Sequence, residues 1–197
     1  MMEIEYGKGH ISISRELSSL DKFVIDFINA LDAASIKYVI VSGYVSILFV
    51  RTRGTEDVDI FIEKPESPSF YALCEKNPRF WIINTASEKE AYDMLIEGYG
   101  IRFAEKGKAI PNMEVKIGEM PLERISAAIN GFKLFISPIE IQIAYKFYLG
   151  SEKDIEDAVY LYELFKERLD RGALLQKCKE LNVMKWLNKY AGQGKKL

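Results

Sequence analysis

Between Val41 and Glu63 the chain reads VSGYVSILFVRTRGTEDVDIFIE, and two aspartates stand one residue apart in what is otherwise a buried-strand pattern. Side chains alternate across a strand, so Asp57 and Asp59 face one way while Val58, Ile60 and Ile62 face the other. Same-face neighbours are roughly 6.6 Å apart at Cα, close enough for two carboxylates to grip one cation. Left bare, the two charges repel by about 1 kcal/mol when water screens them, and several-fold more when it does not. Something positive is expected on that face.

The surrounding residues supply a context for the pair. YVIV, Tyr38–Val41, reads as a fully buried strand that ends in Ser42-Gly43. Val45, Ile47 and Leu48 suggest a short helix before the turn-like RTRGT, and Asp57–Ile62 is the next strand. A strand, a small-residue turn and a helix start together expose backbone N–H groups to which a phosphate-sized anion can come close. Asp57 and Asp59 then offer hard oxygen ligands of the kind Mg²⁺ takes, with Mn²⁺ as the alternative ion. A phosphate cradle beside a two-carboxylate metal site is equipment for nucleotidyl transfer.

A third carboxylate from a neighbouring strand would complete a two-metal site. Glu114, the one acid within the strand MEVKI, is the candidate. A plainer reading stands beside it: an exposed strand acid paired with Lys116.

The rest of the chain reads as an α/β (α+β) protein, a small mixed sheet flanked by helices and followed by a C-terminal helical bundle. Ser18 with Asp21 caps a helix whose Leu20, Phe23, Phe27, Ile28 and Leu31 recur at helical spacing. ISIS, Ile11–Ser14, is a short strand, and His10 before it sits in a Gly-rich turn. KPESPS, Lys64–Ser69, is a loop leading to a helix over Phe70–Glu75. PRFWIIN reads as a strand, Ser87 and Glu90 have capping-box spacing, and residues 101–118 form two strands joined by a Gly-Lys turn. Ser137-Pro138-Ile139-Glu140 opens a helix as N-cap, first-turn proline and capping-box acid; Gly150 ends it. Ser151 and Asp154 cap the next helix, which runs to about Arg171-Gly172, and a last one covers Ala173–Tyr190. The organisation expected is residues 1–135 as the α/β domain and 136–197 as a helical region packing on it.

Composition excludes several other chemistries. With 27 Lys+Arg against 29 Asp+Glu, the net charge of −2 disfavours a broad non-specific nucleic-acid surface. The single histidine leaves little room for histidine-based zinc or triad chemistry. No apolar run approaches the ~20 residues of a membrane helix, and the first ten residues lack the apolar core of a signal peptide. Cys74 and Cys178, far apart and outside any C-x-x-C, read as buried thiols of a cytoplasmic protein. Trp81, Trp186 and the aromatic residues of VYLYELF read as packing.

The stretch SGYVSILFVRTRGTEDVDIFIE resembles the signature of the DNA polymerase β-type nucleotidyltransferase superfamily, a glycine-bearing strand–turn–helix followed by D-h-D on the next strand. It is most similar to the small prokaryotic branch of minimal nucleotidyltransferases and AbiE-type abortive-infection toxins. There the signature runs GG-Y-A, then R-x-T-x-D-h-D-h, which Gly43-Tyr44 and Arg53-x-Thr55-x-Asp57-Val58-Asp59-Ile60 match in order and spacing. Lys146, Lys153-Asp154 and Asp157 fit a second element of that branch, so the resemblance spans about Tyr38–Leu164. It implies an Mg²⁺-dependent transfer of NMP from an NTP to a hydroxyl acceptor: an RNA end, a protein side chain or a small molecule. Asp57, Asp59 and Glu114 would serve as catalytic and metal-binding residues, and Ser42, Gly43, Tyr44, Arg53, Thr55 and Lys146 as nucleotide contacts. Lys146 also has a structural reading, as a snorkelling lysine near a helix C-terminus.

Two departures from the pattern, Ser42 for the first glycine and Glu114 for an aspartate, support a second reading. In it the chain is a catalytically reduced nucleotide- or partner-binding module, such as half of a toxin–antitoxin-like pair with an antitoxin-like protein partner.

Overall fold

A computed structural model describes residues 3–7, 10–49, 51, 54–119 and 122–191. Among these, nine strands form one mixed sheet: β1 (Glu3–Gly7), β2 (His10–Ser14), β3 (Tyr38–Val41), β4 (Asp57–Ile62), β5 (Phe80–Ile82), β6 (Ile101–Glu105), β7 (Asn112–Ile117), β8 (Ile125–Ile129) and β9 (Phe132–Ile136). Their order across the sheet is β1-β2-β8-β9-β3-β4-β7-β6-β5. The pairs β2–β8, β9–β3 and β4–β7 are parallel, and the remaining pairs antiparallel.

The helices are α1 (Ser19–Ala33), α2 (Gly43–Leu48), α3 (Ser67–Glu75), α4 (Glu88–Ile96), α5 (Ile139–Leu149), α6 (Glu152–Phe165), α7 (Arg171–Glu180) and α8 (Met184–Ala191). The chain divides into two units. The first holds Met1–Tyr44 and Gly54–Ile136, and the second Val45–Arg53 and Ser137–Leu197.

In the first unit α1 supplies much of the core. Phe23, Val24, Phe27, Ile28 and Leu31 are buried, and the Phe27 ring meets Phe80 at 5.2 Å and Phe103 at 5.1 Å. Each such ring contributes on the order of 1.5–3 kcal/mol through burial. The sheet face that receives them carries Phe103, Met113 and Val58, which lie in register with one another on β6, β7 and β4. Val58, Ile60 and Ile62 are all at most 1% exposed.

Asp21 holds the start of α1. It forms a reciprocal capping box with Ser18, as its spacing suggests, yet it is also wholly buried. Its two oxygens take a bidentate pair from Arg15 at 2.7 and 2.9 Å, the Ser18 N–H at 2.7 Å and the Tyr44 hydroxyl at 2.8 Å. Burial pushes this carboxyl up, but the bonds from Arg15, Ser18 and Tyr44 outweigh it and hold it below its ordinary range.

The second unit is built around another buried charge. Lys146 on α5 is 2% exposed and lies 2.7 Å from Asp154 Oδ1 and 3.2 Å from Asp157 Oδ2, both on α6. Arg51 adds a bond to Asp157 and lies 2.6 Å from Glu156, while the Tyr160 hydroxyl donates to the Phe49 carbonyl. The Phe49 and Phe165 rings meet edge to face at 4.8 Å. Gly150, at φ 72°, ends α5 in the left-handed region that an L side chain disfavours.

Several expectations need correction. Pro138 rather than Ser137 is the N-cap of α5; the Ser137 hydroxyl accepts from Gln142 Nε2, and Glu140 accepts from the Asp170 N–H instead of closing a box. Glu90 likewise reaches back to the Ala86 N–H, one residue before the cap. The single helix expected over Ala173–Tyr190 is two, α7 and α8, parted where Asn182 adopts φ 57°. Helix α6 stops at Phe165, and α3 begins at Ser67, inside the expected loop, with a proline in its first turn.

His10 opens β2, its ring nitrogens each 3.0 Å from a hydroxyl, those of Ser126 and Ser12. Trp81 is 45% exposed and its indole N–H donates to the Lys108 carbonyl, so it does not serve as core packing. Cys178 is buried as expected, Cys74 only half-buried, and both are free.

Removing one partner of a buried, hydrogen-bonded charge costs about 3–5 kcal/mol, because the other is left uncompensated. Asp21→Ala and Lys146→Met should each lower the denaturant-unfolding free energy by that amount. Tyr44→Phe, which leaves the Arg15 pair intact, should cost only about 1–3 kcal/mol. The Asp21 contribution is present above pH ~4 and is lost as pH falls through its depressed folded value.

Candidate functional site

The register of the sheet assembles the acids. Asp59 on β4 lies opposite Val41 of β3 on one side and Glu114 of β7 on the other, and Glu114 in turn lies opposite Arg102 of β6. Residues opposite one another in register share a face. Asp57, Asp59, Glu114, Lys116 and Arg102 therefore line one face, and the apolar residues that receive α1 line the other. Asp57, Asp59 and Glu114 are half-buried, neither sealed in the core nor free in solvent.

Each acid has its own support. The Ser42 side chain stands close enough to the Asp59 carboxylate to pull its carboxyl down. It does so from a left-handed backbone, φ 61°, where serine carries a strain that glycine would not. The Thr55 hydroxyl donates toward Asp57, 2.9 Å from its carbonyl and 3.1 Å from Oδ1. Glu114 lies 2.5 Å from Lys116 and 3.0 Å from Arg102.

The electrostatics of the two strands differ. Burial pushes the Asp59 carboxyl up; the neighbouring Ser42 side chain pulls it back, and the charges of Asp57 and Glu114 push it up further. For Glu114 burial also pushes upward, but the Lys116 and Arg102 pairs outweigh it and hold the carboxyl below its ordinary range.

The residues expected to touch a nucleotide fall into four groups. Ser42 and Thr55 stand beside the acids, and Gly43 begins α2 directly after Ser42. Tyr44, expected as a nucleotide contact, has no exposed surface and spends its hydroxyl on Asp21, so it supports the fold beside the turn. Arg53 lies outside the described residues. Lys146 belongs to the second unit, where Asp154 and Asp157 occupy its ammonium group.

Arg102 went unnoticed in the sequence. The Gly-Lys turn between β6 and β7 implies an antiparallel pairing, and the register of that pairing brings Arg102 to Glu114.

Asp57 and Asp59 fit a small hard cation by chemistry: two carboxylates on one half-buried face, one of them with an upward-shifted carboxyl. Glu114 does not yet join them. Among the described residues, no three His, Cys, Asp or Glu side chains are gathered closely enough to hold an ion.

A carboxyl shifted upward on folding contributes stability below its unfolded value, near pH 4, and loses it as pH rises through the folded value. Once ionised, Asp59 is thus a burden on the metal-free fold. Asp59→Asn should melt at or above wild type without divalent ions, by about 2–4 °C per kcal/mol relieved. Mg²⁺ or Mn²⁺ should raise the melting temperature of wild type alone. Thermal melts with and without the ion check both.

No family model matches the chain, and no curated protein sequence does. Solved structures do. An antigenic nucleotidyltransferase-like protein from Paracoccidioides brasiliensis is similar over 89% of this chain and 91% of its own, with a TM-score of 0.54 and 19% identity. The antibiotic-resistance factor ANT(2'')-Ia aligns over 88% of this chain and 97% of its own, with a TM-score of 0.48 and 13% identity. At such identities the likeness speaks to fold alone, and the first of the two carries it. The chain has a nucleotidyltransferase-like fold, a mixed sheet with flanking and following helices.

Proposed function

We propose that the protein is a divalent-metal-dependent nucleotidyltransferase that moves NMP from an NTP to a hydroxyl acceptor and releases pyrophosphate. The observation that carries this reading is the acidic face: Asp57 and Asp59 side by side on β4, with Glu114 in register across the strand pair. Mg²⁺ or Mn²⁺ held by Asp57 and Asp59 would screen the triphosphate and acidify the acceptor hydroxyl.

The remaining steps belong to the chain. The Ser42-Gly43 turn seats phosphate oxygens, and Ser42 orients Asp59. Thr55 fixes Asp57. Arg53 offsets the charge that develops on the leaving pyrophosphate. A bond forms between the acceptor oxygen and the α-phosphorus, and the bond to the bridging oxygen of the pyrophosphate breaks. The acceptor's proton passes to a carboxylate of the trio. Lys146 fits a supporting role better than a direct contact, since Asp154 and Asp157 already neutralise it. An RNA end, a protein side chain and a small molecule all remain candidate acceptors, because fold does not select among them.

The side chain at Ser42 and the ion pairs of Glu114 favour a second reading. A side chain stands where a glycine would leave space, and the third acid is engaged by two cations. A chain so altered would bind a nucleotide, or an antitoxin-like protein partner, without turning it over.

Incubation with labelled NTPs, Mg²⁺ and the three acceptor classes separates the two. The enzyme reading expects label transfer that drops at least about 100-fold in Asp57→Asn and Asp59→Asn. Transfer equal in wild type and variants sinks it. Calorimetric NTP binding that ignores Mg²⁺ and survives Asp59→Asn favours the binding module instead.

A further inference from the structure

Both carboxylate oxygens of Glu114 are already occupied. Oε1 lies 2.5 Å from Lys116 Nζ and Oε2 lies 3.0 Å from Arg102 Nη2. The arrangement is shaped by more than the two cations. A Cβ at Gly100 would stand 2.9 Å from Lys116 Cε and 3.1 Å from Glu114 Oε1, so the bare backbone there makes room for the pair. Asn84 pins this backbone from both sides, accepting from the Arg102 N–H at 2.8 Å and donating to the Gly100 carbonyl at 3.1 Å.

Glu114 is only 16% exposed at its side chain, while Lys116 and Arg102 are 43% and 45% exposed. Their heads are open to a ligand arriving from solvent. Glu114 itself is in register with Asp59, one strand spacing away. A change of side-chain torsion, with no backbone movement, suffices to turn its carboxylate from the cations toward the aspartates.

We propose that Lys116 and Arg102 form a latch that keeps Glu114 out of the metal site until an anionic ligand, the triphosphate of the nucleotide, draws the two cations away. Half-exposed ion pairs are weak, so a multiply charged phosphate competes for them readily. Glu114 then joins Asp57 and Asp59 as the third carboxylate. Lys116 and Arg102 are positioning residues in this scheme, acting through Glu114. The inference rests on the reading that Asp57 and Asp59 hold a divalent ion.

Mn²⁺ affinity of the nucleotide-free protein, measured by electron paramagnetic resonance, tests the latch without reference to turnover. Removing any positive charge near an acidic face tightens cation binding, so the decisive quantity is dependence on Glu114. Lys116→Met should tighten Mn²⁺ about tenfold in the wild-type background and less than about twofold beside Glu114→Gln. Gly100→Ala, which displaces the pair without changing charge, should follow the same pattern. Equal tightening in both backgrounds, or none in either, overturns the latch while leaving the metal reading intact. Absence of Mn²⁺ binding in wild type and every variant overturns both. Should Gly100→Ala fail to fold, the half-exposed Lys116→Met carries the cycle by itself.

Discussion

Carboxylates placed on one face of a pleated sheet repel one another, and much of this protein's local chemistry is organised around containing that repulsion. Alternation along β4 sets Asp57 and Asp59 on the same side, and the parallel pairing with β7 adds Glu114 directly across from Asp59. The opposite side of the same strands is filled by apolar residues against α1, so the acids cannot turn away without exposing the core. Compensation comes from the neighbours: a serine bent into left-handed geometry beside Asp59, a threonine beside Asp57, two cations on Glu114. Left-handed backbone costs an ordinary residue roughly 1–2 kcal/mol, and such strain gathers where a structure has a task beyond folding.

Two other charge clusters show what a purely architectural solution looks like. Asp21 is sealed from water with its donors in place, and Lys146 sits between Asp154 and Asp157 with almost no exposed surface. In both, the buried charge meets opposite charge at hydrogen-bond distance. The acidic face of β4 differs in being half-open and in holding three like charges against two cations on one edge. That imbalance, more than the presence of aspartates, sets the β4 face apart from the two sealed clusters.

Local signals carried far in some elements and failed in others. The alternation in DVDIFIE correctly separates the acid face from the core face, and Ser18–Asp21 correctly marks the start of α1. Such features depend on near neighbours in the chain. The roles of Tyr44 and Lys146 depend instead on partners 23 and 8 residues away, in other helices, and a motif-based reading sees only the residue. Helix ends moved by a residue where Ser137 found Gln142 as a partner in place of its own helix's N–H groups. The β8–β9 hairpin was legible in principle. Asn130-Gly131, at φ 48° and 85°, is the turn dipeptide that such hairpins favour.

The second unit is assembled from two stretches of chain that are far apart in sequence. Arg51 finds its partner Asp157 106 residues later. During synthesis at about 5–20 residues per second, the early stretch therefore waits roughly 5–20 s for the helices that will receive it. The sheet unit can close around its own gap in the meantime. A nascent chain of this kind should exist for a time with its acidic strand already made and its Arg51 still waiting for Asp157.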